Sequence, residues 1–399
     1  MQIPENKGTN DSFNSREFHK IPVGPLGIMA MDGSRELCSL INDYIVGWRK
    51  DFASNNSEPL LFPGYSRESY LISANCYRFA TGEGKAVVNE TVRGYDIYIV
   101  ADVGNYNCRY KMFGMDCPMS PDDHYQDLKR LIAAIGGKAR RVSVIMPMLY
   151  EGRQHRRISR ESLDCALALQ ELTALGVENI ITFDAHDPRV QNSIPLKGFE
   201  NLRPSYQFIK AMLNNEKGLE IKRDKMLVIS PDEGGIERCL YYSNILGLDL
   251  GLFYKRRDYT KIVGGRNPII SHEFLGESID GKDVLIVDDL LSSGESILDI
   301  CYELKKRKAN RIYVAVTFSL FTDGLEEYDK AFKDDIFTKI FSTNLTFRRP
   351  ELLVSQWYVD VDISKFIAYL IDTLNHDQSI SSLMDPSEKI RRILLENQS

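Results

Sequence analysis

The sequence alternates short apolar runs with longer amphipathic stretches, and this rhythm occurs twice. From Asp122 a helical pattern leads into the apolar run "VSVIM" at 142–146, and the alternation returns with "KMLVISPD" at 225–232. Strands that alternate with helices predict parallel sheets covered by helices on both faces. A length of 399 residues allows two domains with separate cores. We therefore predict an α/β protein with two similar domains, each a mostly parallel sheet flanked by helices.

Polar stretches suggest where these domains begin and end. Residues 1–20 are predicted to be a disordered tail, and residues 49–69 are predicted to be a loop or insertion. The first domain is then expected to cover 21–202 and the second 203–360. Residues 361–399 are expected to form C-terminal helices that pack back on the first domain.

The overall composition excludes several classes of protein. A formal net charge of −6 argues against a nucleic-acid binder. The longest apolar runs are too short to span a bilayer, and the polar N-terminus resembles neither a signal peptide nor a transit peptide. Seven cysteines without a CxxC pair are typical of reduced thiols. We expect a cytoplasmic protein without membrane or nucleic-acid partners.

The stretch "VLIVDDLLSSGES" at 284–296 carries most of the chemical signal. An apolar run stops at Asp288 and Asp289, and a small polar loop then opens into a helical pattern. The loop residues are Ser292, Ser293, Gly294, Glu295 and Ser296. Backbone N–H groups and hydroxyls at a helix N-terminus suit a phosphate, and adjacent carboxylates suit sugar hydroxyls. This pattern favours a sugar-phosphate site.

Two other interpretations of the stretch remain open at this point. The acids could hold Mg²⁺ beside a nucleotide, although the G-x-x-x-x-G-K-[ST] loop that usually accompanies such acids is absent from the sequence. The stretch could also be an ordinary strand followed by a polar turn and a helix cap.

The same stretch resembles the phosphoribosyl-diphosphate-binding motif of type I phosphoribosyltransferases. Two kinds of enzyme share that motif: those that consume phosphoribosyl diphosphate, and ribose-phosphate diphosphokinase, which makes it from ATP and ribose 5-phosphate. From about Gly27 onward the chain is similar to the second family in order, including the segment "HDQSISSLM" near its end.

The resemblance implies an ATP side. "YRFATGEGKAVVNETVRG" is similar to the family's adenine segment, which implies ATP contacts for Phe79 and Glu83 from a neighbouring subunit, although Thr81 replaces the family's aspartate. "YEGRQHRR" resembles the family's Y-A-R-Q-D-R-K and implies ATP contacts for Arg153 and Gln154.

The resemblance also implies a metal and a catalytic loop. "FDAHD" places His186 as a ligand of Mg²⁺-ATP, and "VISPDEGG" makes Asp232 a ribose-phosphate or metal-side acid. "FYKRRDYTK" matches the family's mobile catalytic loop and implies catalytic roles for Lys255 and Arg257. Asp288 and Asp289 would bind the ribose hydroxyls, and residues 292–296 would bind the 5-phosphate.

The expected reaction transfers the β,γ-diphosphoryl group of ATP to the C1 hydroxyl of ribose 5-phosphate, with Mg²⁺ as cofactor. A homo-oligomer, either a dimer or a hexamer, is expected because the family binds ATP across a subunit interface. The loop after Arg157 is shorter than in the family, which predicts weak regulation by ADP and phosphate. Two rival functions remain: a phosphoribosyltransferase that consumes phosphoribosyl diphosphate, and a non-catalytic regulatory homologue of the synthetase.

Overall fold

The computed structural model describes residues 21–55, 64–257 and 269–397. Its strands are β1 (Leu26–Ala30), β2 (Ala74–Arg78), β3 (Gly84–Val88), β4 (Asp96–Val100), β5 (Arg109–Met112), β6 (Met115–Pro118), β7 (Arg141–Ile145), β8 (Asn179–Phe183), β9 (Gly198–Leu202), β10 (Met226–Ser230), β11 (Asp249–Arg257), β12 (Ile269–Leu275), β13 (Asp283–Leu291), β14 (Ile312–Ser319), β15 (Lys339–Thr343) and β16 (Tyr358–Val361).

The α-helices are α1 (Arg35–Asn55), α2 (Pro121–Ile135), α3 (Asp164–Ala174), α4 (Ser205–Asn215), α5 (Ile236–Leu246), α6 (Glu295–Lys306), α7 (Glu326–Lys333), α8 (Pro350–Leu353), α9 (Ser364–Asn375), α10 (Ser381–Met384) and α11 (Ser387–Glu396). Two 3₁₀ helices cover Asp32–Ser34 and Pro188–Ser193.

Two sheets organise these elements. The first has the order β1-β4-β7-β8-β9, and all of its strand pairs are parallel. The second has the order β12-β11-β10-β13-β14-β15-β16 and is parallel except for the β11–β12 pair. The prediction of two mostly parallel sheets flanked by helices is confirmed. Separate antiparallel pairs are formed by β2 with β3 and by β5 with β6.

The apolar core joins the two sheets. One cluster of buried side chains contains Ile28 and Ile181 from the first sheet and Val228 and Leu285 from the second. Two further clusters cover the other face of each sheet. Burial on both faces explains why the central strands are near-continuous apolar runs rather than alternating ones. Among the described residues, no helix is both long and apolar enough to cross a membrane.

The prediction of a loop at 49–69 is wrong for its first part, since 49–55 belong to helix α1, while the alternative of an insertion there stays a prediction. The physical reason is Arg49, whose side chain is only 2% exposed and donates to Asp372 of α9 at 3.0 and 2.8 Å. The sequence alone suggests that Arg49 is exposed to solvent, but its ion pair with Asp372, far away in the sequence, keeps it buried. Residues 56–63 lie outside the described residues, as does the predicted tail at 1–20.

Asn375, at the end of α9, extends the contact between the C-terminal helices and the first sheet. Its amide nitrogen donates to Asp96 of β4 at 2.9 Å, and its amide oxygen accepts from Arg49 at 2.7 Å. The exact domain limits at 202/203 and 360/361 stay predictions.

Candidate active site

Strand β13 ends in the polar loop that the sequence singled out. Val284 to Val287 are buried, Asp288 is partly exposed, Asp289 is buried, and helix α6 starts at Glu295. Gly294 precedes the helix with φ +85°, a left-handed conformation that side chains disfavour and glycine adopts freely. The loop therefore presents the free backbone N–H groups of the first turn of α6 at the carboxyl edge of the sheet.

The two adjacent carboxylates of β13 differ in their surroundings. Asp288 Oδ1 accepts from the backbone N–H of Asp289 at 2.9 Å. Burial and the neighbouring charge of Asp289 raise the pKa of Asp288 well above its ordinary value. Burial opposes ionisation of Asp289 as well, but the hydrogen bond from His186 and the charge of Arg238 together hold the pKa of Asp289 below its ordinary value. The pair thus combines a firmly ionised acid with one that retains a proton more readily.

Asp232 lies at the same edge of the second sheet, because β10 is the parallel neighbour of β13. Its Oδ1 accepts from the backbone N–H of Gly235 at 3.1 Å, and its carbonyl oxygen accepts from Ser230 at 2.8 Å. These bonds shape a tight turn at the carboxyl edge of the second sheet.

The first sheet meets this edge through the loop after β8. Asp184 has φ +44°, unusual for a residue with a side chain, and it accepts a hydrogen bond from Thr317 of β14 at 2.8 Å. Two residues further on, the Nδ1 of His186 lies 2.8 Å from Oδ2 of Asp289. That hydrogen bond raises the pKa of His186. The structure thus brings together the predicted metal ligand His186 and the predicted pentose ligand Asp289.

Arg238 of α5 is a member of this cluster that the sequence analysis missed. Its Nε donates to Asp184 Oδ1 at 2.8 Å, and its Nη1 lies 3.4 Å from Asp289 and 3.6 Å from Asp288. The side chain is only 8% exposed. Burial would lower the pKa of Arg238, but Asp184 and Asp289 raise it, so the guanidinium stays charged. A signal existed in the sequence: Arg238 follows "PDEGG" in the first turn of the next helix.

The loop after β7 places the predicted ATP residues near His186. Arg153 is exposed, and the side chain of Gln154 donates to the carbonyl oxygen of Ser162 at 3.1 Å. The neighbouring His155 was not singled out from the sequence. Its ring lies 5.3 Å from that of His186, and its Nε2 is 3.5 Å from Asp187.

Phe79 and Glu83 lie at the tip of the β2–β3 hairpin. The backbone N–H of Phe79 donates to the carbonyl oxygen of Glu83 at 2.8 Å, and the hydroxyl of Thr81 donates to the Glu83 carboxylate at 2.9 Å. The Phe79 ring is 56% exposed. Within the described part of the chain, no hydrogen bond or ion pair connects these residues with the cluster around His186 and Asp289.

Lys255 and Arg257 lie near the carboxyl end of β11. Leu252 pairs with Ser230, so both residues extend beyond the paired part of β10, on the side where Asp232 lies. The backbone is therefore in a strand at positions that the resemblance assigned to a mobile loop. The side chains of 255–257 and the whole of 258–268 lie outside the described residues.

The described residues contain no preformed group of three or more histidine, cysteine, aspartate or glutamate side chains able to hold a metal ion. The available donors are the imidazole of His186 and the carboxylates around it. Mg²⁺ at nucleotide sites usually takes one or two protein ligands together with phosphate oxygens and water. The donor set fits that mode of binding rather than an all-protein cage.

Comparisons with known proteins agree with this arrangement. The sequence profile of the N-terminal domain of ribose phosphate pyrophosphokinase matches residues 26–176, and that of the phosphoribosyl transferase domain matches residues 199–351. The fold and the site thus define a protein built from two phosphoribosyltransferase-like domains. The chain belongs to the ribose-phosphate pyrophosphokinase family.

Relatives match over most of their length. The ribose-phosphate pyrophosphokinase of Mycoplasma genitalium is 28% identical over 314 residues, covering 78% of this chain and 86% of that protein. The ribose-phosphate pyrophosphokinase of Vibrio parahaemolyticus is 23% identical over 339 residues, covering 83% of this chain and 98% of that protein. The crystal structure of phosphoribosylpyrophosphate synthetase from Mycobacterium smegmatis has a TM-score of 0.68 at 17% identity, covering 88% of this chain and 99% of that one. This last likeness shows a common fold.

Proposed function

We propose that this protein is a ribose-phosphate diphosphokinase. It transfers the β,γ-diphosphoryl group of ATP to the C1 hydroxyl of ribose 5-phosphate and releases AMP. The observation that carries the proposal is the contact between His186 and Asp289, at 2.8 Å, which joins the nucleotide side of the first sheet to the pentose side of the second. A reaction between two bound substrates needs such a junction, because its rate depends on holding both in one geometry.

Ribose 5-phosphate binds at the carboxyl edge of the second sheet in this proposal. Asp288 and Asp289 accept hydrogen bonds from the ribose 2- and 3-hydroxyls, and Asp232 follows the neighbouring strand at the same edge of the sheet. The 5-phosphate binds the loop Ser292, Ser293, Gly294, Glu295 and Ser296 at the N-terminus of α6. Left-handed Gly294 and the free N–H groups of the first helical turn support this assignment.

ATP binds on the first sheet. Arg153 and Gln154 contact its phosphates from the loop after β7, where Arg153 is exposed and free to reach an anion. Phe79 and Glu83 contact the adenine of ATP bound by a neighbouring subunit, and the exposed Phe79 ring supports this role. The functional unit is then a homo-oligomer, a dimer or a hexamer.

The family transfers phosphoryl groups, which is consistent with a metal cofactor. We propose Mg²⁺, with His186 and Asp232 as its protein ligands. The Nδ1 of His186 contacts Asp289, so Nε2 would be the nitrogen available to hold the ion. Bound Mg²⁺ would neutralise charge on the phosphate oxygens during transfer.

The chain's own residues complete the chemistry. Lys255 and Arg257, beyond the part of β11 that pairs with β10, supply positive charge to the migrating diphosphoryl group. Asp288, whose pKa is raised by burial and by Asp289, can accept the proton of the C1 hydroxyl. The reaction takes place in the cytoplasm, where reduced cysteines and both substrates are expected.

The direct test is product identification. Purified protein with Mg²⁺, ATP and ribose 5-phosphate should produce AMP, and ³¹P NMR should show a new diphosphate bonded to the sugar. Omission of ribose 5-phosphate should abolish AMP formation. Turnover of phosphoribosyl diphosphate with a free base, without AMP from ATP, would identify a phosphoribosyltransferase instead. Binding of both substrates without turnover would identify a regulatory homologue.

A further inference from the structure

The β2–β3 and β5–β6 hairpins meet at their tips. The backbone N–H of Phe113, in the β5–β6 turn, donates to the carbonyl oxygen of Ala80, in the β2–β3 turn, at 2.8 Å. A Cβ built on Gly82 would lie 2.7 Å from the sulfur of Met112, so the backbone of one tip also packs against a side chain of the other. Phe113 and Phe79, the residue before Ala80, are therefore held in adjoining turns.

These two hairpins carry the exposed aromatic side chains of the described part of the chain. The aromatic residues with large exposed fractions are Tyr77, Phe79 and Phe113, and the Phe113 side chain is the most exposed of them at 72%. Every other aromatic ring among the described residues is buried or half-buried. Exposed apolar side chains that are grouped in this way mark a binding surface rather than a part of the core. The two tips therefore have the composition of a site for a molecule outside the chain.

The conformation of Phe113 is unusual for an aromatic residue. Met112 pairs with Met115, so the turn consists of Phe113 and Gly114 alone, and both have positive φ, +49° and +78°. Two-residue turns with two positive φ values favour Asn-Gly or Asp-Gly, because the left-handed conformation is disfavoured for bulky side chains. Phe113 is thus strained and exposed to water at the same time, and the folding of the chain does not account for it.

The chemistry of this surface suits a purine base. Aromatic side chains bind the flat face of a base by stacking. Glu83, at the same tip as Phe79, accepts a hydrogen bond from Thr81 at 2.9 Å and retains carboxylate lone pairs for the exocyclic amino group of a base. A carboxylate beside the rings disfavours an apolar protein surface as the ligand, since that would bury the charge without a partner.

We infer that Phe113 is a further binding residue for the purine base of ATP, and that its ring stacks on the base alongside Phe79. This inference rests on the proposed function, which assigns Phe79 to the adenine of ATP bound by a neighbouring subunit. It adds the β5–β6 hairpin to the nucleotide site. The strain at Phe113 is then the cost of presenting an aromatic ring at the tip of a tight turn.

The test is Phe113→Asn, which removes the ring and supplies a residue that this turn favours. Calorimetry with Mg²⁺ measures the dissociation constant for α,β-methylene-ATP, whose diphosphoryl group cannot be transferred. This constant should increase at least about fivefold, the lower end of what the stacking of one base contributes. The dissociation constant for inorganic tripolyphosphate, which has no base, should stay within about twofold of the wild-type value. The urea midpoint should stay the same or rise, because strain is removed.

Two further variants serve as controls. Phe113→Tyr keeps the ring and should retain the wild-type affinity for the nucleotide. Leu196→Asn removes another largely exposed apolar side chain, in the segment between the 3₁₀ helix Pro188–Ser193 and β9. Its affinity for α,β-methylene-ATP should equal that of the wild type.

Three results would overturn the inference. The first is equal nucleotide affinity in Phe113→Asn and the wild type. The second is an equal loss of affinity for the nucleotide and for tripolyphosphate, which would show a general disturbance of the site. The third is dissociation of the oligomer in Phe113→Asn, measured by sedimentation, because the ring would then contact protein rather than a base.

Failure of the inference and failure of the proposed function have different signatures. A wild-type protein that needs Phe113 to bind the nucleotide but forms no AMP would remove the proposed reaction and leave the base site. A protein that forms AMP and whose nucleotide affinity is indifferent to Phe113→Asn would do the reverse.

Discussion

The imidazole Nδ1 of His186 lies 2.8 Å from Oδ2 of Asp289, although 103 residues separate them in the sequence. His186 follows β8 of the first sheet, and Asp289 belongs to β13 of the second. Arg238 reinforces this junction, because it donates to Asp184 at 2.8 Å and lies 3.4 Å from Asp289. The position of the loop after β8 relative to the end of β13 is therefore set by buried polar contacts as well as by the shared apolar core.

Replacement of Arg238 by methionine should impair use of ribose 5-phosphate. Without the guanidinium, Asp288 and Asp289 face each other with no buried cation between the two sheets, and breaking such a contact costs about 3–5 kcal/mol. We expect kcat/KM for ribose 5-phosphate to fall at least 100-fold, with a smaller change in KM for ATP. Arg238→Lys should recover part of the loss.

Arg203→Met is the control for that experiment. Arg203 is a partly exposed arginine that lies 3.5 Å from Glu237, the residue before Arg238, and among the described residues it forms no ion pair with Asp184, Asp288 or Asp289. The kinetic constants of Arg203→Met should stay within about twofold of those of the wild type, since ion pairs that are largely exposed contribute little to the stability of a site. Equal effects of the two substitutions would contradict the role given to Arg238.

Lys255→Ala should lower kcat by about 100- to 1,000-fold, the range observed when a group that stabilises transition-state charge is removed. The affinity for ribose 5-phosphate should persist, because that substrate is held at 288–296. Stopped-assay kinetics measure kcat, and calorimetry on the same preparation measures the affinity for ribose 5-phosphate. Lys282→Ala, at the amino end of β13, should behave like the wild type. Near-normal turnover in Lys255→Ala would remove Lys255 from its catalytic role.

Asp372→Ala should strongly destabilise the fold. It would leave Arg49 buried without its main partner, and breaking a buried ion pair costs about 3–5 kcal/mol. Equilibrium unfolding in urea measures this change. Lys50→Ala is the control, because the Lys50–Glu68 pair at 3.1 Å is largely exposed and should contribute about 0–1 kcal/mol. A similar small change in both variants would show that Arg49 finds other partners.

Asp102 makes the stability of the protein depend on pH. Burial raises the pKa of this carboxyl from 3.8 to about 7, against the hydrogen bonds from Thr346 and the backbone N–H of Gly104. Between about pH 4 and 7 the folded state keeps a proton that the unfolded state has lost, so the free energy of unfolding decreases as the pH rises through this window. Asp102→Asn should remove this part of the dependence.

Urea midpoints of the wild type and Asp102→Asn at pH 5 and pH 8 check that prediction. The midpoint should fall more steeply with pH in the wild type than in the variant. Asp280→Asn, on the surface, should retain the wild-type slope. Parallel pH dependence in Asp102→Asn and the wild type would show that Asp102 is ionised throughout.

The sequence predicted the elements whose pattern is local. In α6, Ile297, Ile300, Cys301 and Leu304 repeat at helical spacing, and the structure buries all of them. The loop 292–296 was predicted because its residues are consecutive. By contrast, Arg238 and Asp184 meet only through tertiary folding, and neither has a local signal strong enough to stand alone.

In helix α1 a local sequence pattern predicted the wrong structure. The stretch that begins at Arg49 is polar and contains two adjacent asparagines, so it reads as a loop. Arg49 is instead buried between Asp372 and the rings of Tyr65 and Tyr70, at 4.5 and 4.9 Å from the ring centroids. Long-range pairing of this kind overrides local propensity and leaves no trace in a short window of sequence.

In the proposed reaction the two substrates meet where the two sheets join. A crystal structure with Mg²⁺, ribose 5-phosphate and a non-transferable ATP analogue tests it most directly. Pentose density is expected against Asp288 and Asp289, with its phosphate on loop 292–296 and the triphosphate beside His186. Pentose density at any other place, or a triphosphate remote from His186, would contradict it.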